Sequence, residues 1–87
     1  MIPLYQPDID RFHQQGRKVT DVRLTPVKHK DQDWYSMVLT VEGINEPMQL
    51  VGQRGRPRLF REEKTALTFV KKWLPEIDIV GVKISRE

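Results

Sequence analysis

Ala66, Phe69, Val70 and Trp73 recur at i, i+3, i+4 and i+7, and a proline follows at position 75. That spacing places four apolar side chains along one stripe of an α-helix. The helix predicted over residues 62–74 carries Glu62 and Glu63 in its first turn and Lys71 and Lys72 in its last, the arrangement the helix dipole favours. Leu67 and Leu74 widen the stripe, and Pro75 ends the helix. A stripe this wide must lie on an apolar surface, so the rest of the chain has to build one.

Residues 34–41 supply the clearest piece of it. Tyr35, Met37, Leu39 and Val41 alternate with Trp34, Ser36, Val38 and Thr40, the period of a strand in which β-formers dominate. Both faces carry apolar weight, which predicts a central strand. A second strand is expected over residues 19–27, with Thr20, Val22, Leu24 and Pro26 on one face; Pro26 cannot donate to a ladder and points to an edge or a strand end. The polar residues 28–33 make the turn between the two. Residues 42–47 read as a hairpin connection, and residues 48–51 begin a third strand. A last strand from Ile77 or Ile79 to Ile84 should turn Val80, Val82 and Ile84 inward and pair inside the sheet. Pro7, Asp8 and Asp10 open a possible short helix over residues 7–15, closed by Gly16.

The expected fold is therefore α+β: a small, mainly antiparallel sheet of three to four strands with one amphipathic helix packed on one face, in the order (α)-β-β-β-α-β. The helix stripe should meet Tyr35, Met37, Leu39, Leu50 and Val82. An 87-residue chain accommodates one modest core, so residues 1–87 are read as a single domain, with residues 1–16 either loose or a short helix. Charged residues reach 31%, yet 38% are hydrophobic, enough to keep the chain out of the composition of disorder. There is no cysteine, which removes disulfides and thiolate metal sites. The first twenty residues hold no apolar run, so neither a signal peptide nor a membrane span is expected, and the cytoplasm is the default location.

Catalysis finds little support in the residue types. His13 and His29 lie in polar surroundings and fit no nucleophile or metal-ligand spacing. Asp8 with Asp10 and Asp31 with Asp33 are accounted for by helix starts and turns. Gly52 and Gly55 lack the Lys-Ser/Thr step of a phosphate-binding loop. The chain is read as a non-enzyme with no cofactor, no metal and no small-molecule substrate.

Charge placement is more informative. The net charge is +3, and residues 52–61, Gly-Gln-Arg-Gly-Arg-Pro-Arg-Leu-Phe-Arg, contain four arginines and no acid. Arg54, Arg56, Arg58 and Arg61 are candidates for nucleic-acid phosphates, with Lys64 beside them at the helix start. Arg54 to Pro57 spell the core of the AT-hook, a minor-groove element, although Gln53 stands where the fuller motif has proline. The position of the segment between a strand and a helix argues for an ordered junction rather than a free hook. A solvated loop whose arginines pair with Glu62 or Glu63 is the plain alternative. The order of elements is similar to that of the double-stranded-RNA-binding domain, but Glu62 and Glu63 occupy the turn that is lysine-rich there. Trp73 completes the helix stripe and belongs to the core. Trp34 and Val38 lie on the opposite face from Tyr35 and are candidates for a partner surface or a base-stacking platform.

Residues 48–84 resemble the small plasmid-borne, partition-associated proteins called ParC-like. The shared features are a strand ending in a Gly/Arg turn, the step Arg58-Leu59-Phe60, an Ala-containing amphipathic helix and a closing hydrophobic strand. The resemblance implies a bacterial accessory protein near DNA maintenance, in a plasmid or mobile-element setting. DNA is then the expected partner. The other reading is a protein-interaction module, a homodimer or adaptor, whose basic loop is only solvated.

Overall fold

The computed structural model describes residues 1–85. Six strands and two helices follow one another as β1 (Ile2–Tyr5), α1 (Gln6–Gln14), β2 (Val19–His29), β3 (Gln32–Val41), β4 (Met48–Val51), β5 (Leu59–Phe60), α2 (Glu63–Trp73) and β6 (Lys83–Ile84). The strands make one mixed sheet in the order β1-β4-β3-β2-β6, with β5 also paired to β3. The α+β class is as expected and α1 falls on the short helix read after Pro7, while the strand number and the element order differ.

The β2-β3 hairpin is the backbone of the sheet. Ten residue pairs run from Val19 opposite Val41 to His29 opposite Gln32. Its turn is only two residues long, Lys30 and Asp31, both with positive φ (51° and 62°), the geometry of a type I′ turn. The strands therefore extend well into the polar stretch that the sequence assigns to a turn. A register shift between Val19 and Asp21 lets Val19 and Val22 both reach the core while Thr20 stays exposed.

β3 is central, as its two-sided apolar pattern predicts. On its other side β4 lies opposite Val38 and Leu39, and β5 lies opposite Tyr35 and Ser36. These are two segments of one antiparallel track, separated by an excursion of residues 52–58. The excursion is closed at its base by a Val51–Pro57 bridge and by hydrogen bonds from the Gly52 N–H to the Arg56 carbonyl (2.7 Å) and from the Arg58 N–H to the Leu50 carbonyl (3.0 Å). Within it Gln53–Gly55 make one 3-10 turn, and Arg54 takes a left-handed conformation with φ 60°. Gly55 follows at φ 70°, and a Cβ there would lie 3.2 Å from the Tyr5 hydroxyl. Only glycine meets both conditions without strain.

Both edges of the sheet are parallel pairings that the sequence reading missed. β1 runs beside β4 from Ile2 opposite Met48 to Tyr5 opposite Val51. A four-residue strand containing Pro3 gives almost no periodic signal, and Pro3 is tolerated because this is an edge. The closing strand is likewise at an edge and short. Only Lys83 and Ile84 pair with β2, opposite Arg23 and Leu24. Residues Ile79–Gly81 instead form a 3-10 turn, because the Asp78 carboxylate and carbonyl accept hydrogen bonds from Val80 (3.1 Å) and Gly81 (2.8 Å). Val80, expected inward, is 92% exposed.

The core lies between one face of the sheet and the two helices. Leu4, Val22, Leu24, Met37, Leu39 and Leu50 from the sheet meet Ile9 of α1 and Ala66, Phe69 and Val70 of α2. Each large side chain removed from water here contributes about 1.5–3 kcal/mol. Phe60 and Phe69 stack at 5.6 Å, and Phe69 and Trp73 at 6.2 Å, so the helix stripe continues to a half-buried Trp73. α1 starts where Asp8 accepts the Tyr5 N–H at 2.9 Å, satisfying one of the donors a helix start leaves open.

Candidate nucleic-acid interface

The helices cover only one face of the sheet. On the other, alternation along β2 and β3 sets Arg23, Val27 and His29 beside Trp34, Ser36 and Val38, with Val27 directly opposite Trp34. Leu59 continues the same face from β5, being paired with Ser36. Two residues further on, Arg61 comes alongside Trp34. Its guanidinium lies 5.5 Å from the Trp34 ring centroid and donates to the Asp33 carbonyl. His29 meets the same ring edge-on at 6.3 Å. The Trp34 indole N–H is buried without a hydrogen-bond partner among the described residues.

Next to this stack is a groove of about 370 Å³, bounded by Val27, His29, Ser36, Gln49, Pro57 and Leu59. Arg56 also borders it, so the excursion of residues 52–58 carries one of its arginines onto the uncovered face. Strand alternation sends the next arginine the other way. Arg58 shares the parity of Phe60 and lies among the helices, where it donates to the Gln6 side-chain carbonyl at 2.9 Å. Its guanidinium sits 4.9 Å from the Phe69 ring centroid and 5.4 Å from that of Phe60. Arg58 is thus a packing residue that ties the start of α1 to α2.

The five basic candidates from the sequence therefore divide into three places. Arg56 and Arg61 share the uncovered face with Trp34. Arg54 is exposed on the 3-10 turn of the excursion. Lys64 is exposed on α2, in the helix layer, and Arg58 is held between the helices. Ion pairs elsewhere include Arg11–Asp8, Lys28–Asp33, Lys83–Asp21 and His13–Glu76. Trp34 and Val38 do lie on one face but not in one site. Val38 belongs to a separate depression of about 440 Å³ bounded by Arg23, Thr25, Thr40 and Pro47.

His29, Ser36 and Gln49 are the groove residues that the sequence reading passed over. His29 reaches the face of Trp34 because the turn is confined to Lys30 and Asp31, a pair without the Asn-Gly signature of such turns, so no sequence signal marked it, and none marked Ser36 or Gln49.

A second polar cluster lies away from this face. The Glu76 carboxylate accepts from the Val19 N–H at 2.9 Å and contacts His13 Nε2 at 2.8 Å. Burial pushes this carboxyl up, but the Val19 N–H, its own N–H and the His13 ring outweigh burial and hold it below its ordinary value. This cluster joins α1, β2 and the chain after α2, a structural role.

Among the described residues no helix is long and apolar enough to cross a membrane. Comparison with protein-family models, with curated proteins and with solved structures finds no match to this chain.

Proposed function

We propose that the protein is a non-catalytic accessory protein that associates with nucleic acid through the uncovered face of its sheet. The observation that carries this reading is the placement of Arg56 and Arg61 on the same face as Trp34, beside a groove and away from the helices. Phosphates neutralised by arginine give affinity without sequence information. Arg54 extends the basic rim, and Lys64 adds charge at a distance. Arg58 is left to packing. Arg23 and Lys83 add further positive charge along the same face, against Asp21, which Lys83 holds at 3.5 Å.

The resemblance of residues 48–84 to ParC-like proteins supports a bacterial, cytoplasmic setting on a plasmid or mobile element, with DNA as the partner. Part of that resemblance now rests on a different geometry, since the Gly/Arg turn is an excursion within a strand track and the closing strand is two residues at an edge.

A homodimer through the sheet edge is the competing reading. Among the described residues β2 has no partner beyond Leu24 on the β6 side, which leaves an edge available. Pro26 lies within that edge and has no N–H to give a second strand. The test is fluorescence anisotropy of a labelled DNA at low salt with wild-type protein and with Arg56→Ala. The wild type should bind and the variant should bind more weakly; equal binding by the two would refute the role of this face.

A further inference from the structure

The groove beside Trp34 contains more than phosphate binding requires. Val27, Pro57 and Leu59 give it apolar walls, and Ser36, only 3% exposed, also lines it. The Ser36 hydroxyl is a group that can both donate and accept a hydrogen bond. Gln49 lines the same space and adds an amide able to donate and accept side by side. At about 370 Å³ the space is at the small end of ligand sites. Arg56 borders it, and Arg61 lies on the same face, over the Trp34 ring.

We infer that this groove takes one unstacked nucleobase, and that the preferred ligand is single-stranded nucleic acid. The inference rests on the nucleic-acid reading above and deepens it. A flat ring would pack on Pro57 and Leu59, its edge would meet Ser36 and Gln49, and the phosphates on either side would meet Arg56 and Arg61. A base in a duplex is stacked and its pairing edge is occupied, so it can use none of these groups. Trp34, capped by Arg61, meets the groove only through His29, which packs edge-on against its ring and lines the groove.

The experiment compares a labelled oligothymidine of roughly ten nucleotides with a duplex of the same length at one low salt concentration. The single strand should bind at least about tenfold more tightly. Gln49→Ala and, separately, the exposed His29→Ala should each weaken single-strand binding by several-fold and duplex binding by less, so that the ratio of the two falls. Both variants are to be checked for native far-UV circular dichroism. Equal binding of duplex and single strand, or a ratio that neither variant alters, overturns the inference while the nucleic-acid reading stands. Failure of both oligonucleotides to bind overturns the two together.

Discussion

Arg61 and Trp34 are neighbours across two strands, the guanidinium 5.5 Å from the ring centroid. The pair closes the end of the β3-β5 track and keeps a cation fixed on an aromatic surface at the protein's uncovered face. Such a contact contributes about 0.5–1 kcal/mol where it is exposed. In a Trp73→Phe background, where Trp34 is the sole indole, Arg61→Ala should move the emission to longer wavelength and increase quenching by iodide. An unchanged spectrum would mean that Arg61 does not shield the ring.

Arg58 and Arg56 differ in what they do despite being two residues apart. Arg58→Ala removes a hydrogen bond to Gln6 and stacking on two phenylalanines, a loss of about 1–2 kcal/mol. For a domain of this size that is a fall in Tm of roughly 5–15 °C. Arg56→Ala keeps the backbone bond to Gly52, removes no side-chain hydrogen bond or ion pair seen among the described residues, and should stay within about 0.5 kcal/mol of wild type. Thermal denaturation of the two variants settles the division, and equal effects would contradict it.

The hairpin turn is a place where the sequence opposes its own geometry. Lys30 and Asp31 both hold positive φ, the conformation for which Asn-Gly is best suited. The double change Lys30→Asn, Asp31→Gly should raise stability by about 1 kcal/mol, read as an increase in the denaturant midpoint at constant m-value. A decrease would show that the Lys30 and Asp31 side chains contribute more than their backbone strain costs.

Glu76 predicts a pH dependence. A carboxyl held below its ordinary value of 4.5 stabilises the fold at higher pH and loses that contribution as pH falls through 4.5 toward the lowered value. Stability measured by denaturant titration between neutral pH and pH about 3 should therefore fall less steeply in Glu76→Gln than in wild type. The variant should also be less stable at neutral pH, because the Val19 N–H then faces a weaker acceptor. Parallel curves for the two proteins would remove Glu76 from the account.

What could be read from the sequence depended on how far each signal was local. The helix at Glu63–Trp73 and the strand at Gln32–Val41 have long, single-period patterns, and both are found where that period puts them. β1 has four residues and a proline, and pairs in parallel with a strand more than forty positions away, so no local pattern announces it. At the closing strand, Asp78 offered its neighbours a turn that competed with β-branched propensity, and only Lys83 and Ile84 were left to pair. For the site, the arginines at 56 and 61 were legible as basic residues. Their separation from Arg58 was not, because it depends on the register of β5 against β3. Once Tyr35 faces Phe60, side-chain alternation alone sends Arg58 to the helices and Arg61 to Trp34.

The central claim is that Arg56 and Arg61 bind phosphates, and its most direct test is the salt dependence of oligothymidine binding by wild type and by the Arg56→Ala, Arg61→Ala double variant. Each phosphate contact on a single strand contributes about 0.7 to the slope of log K against log salt. The account predicts linear, salt-sensitive binding by the wild type and a slope shallower by about 1.4 in the double variant. Absence of binding at low salt, or the same slope in both proteins, would contradict it.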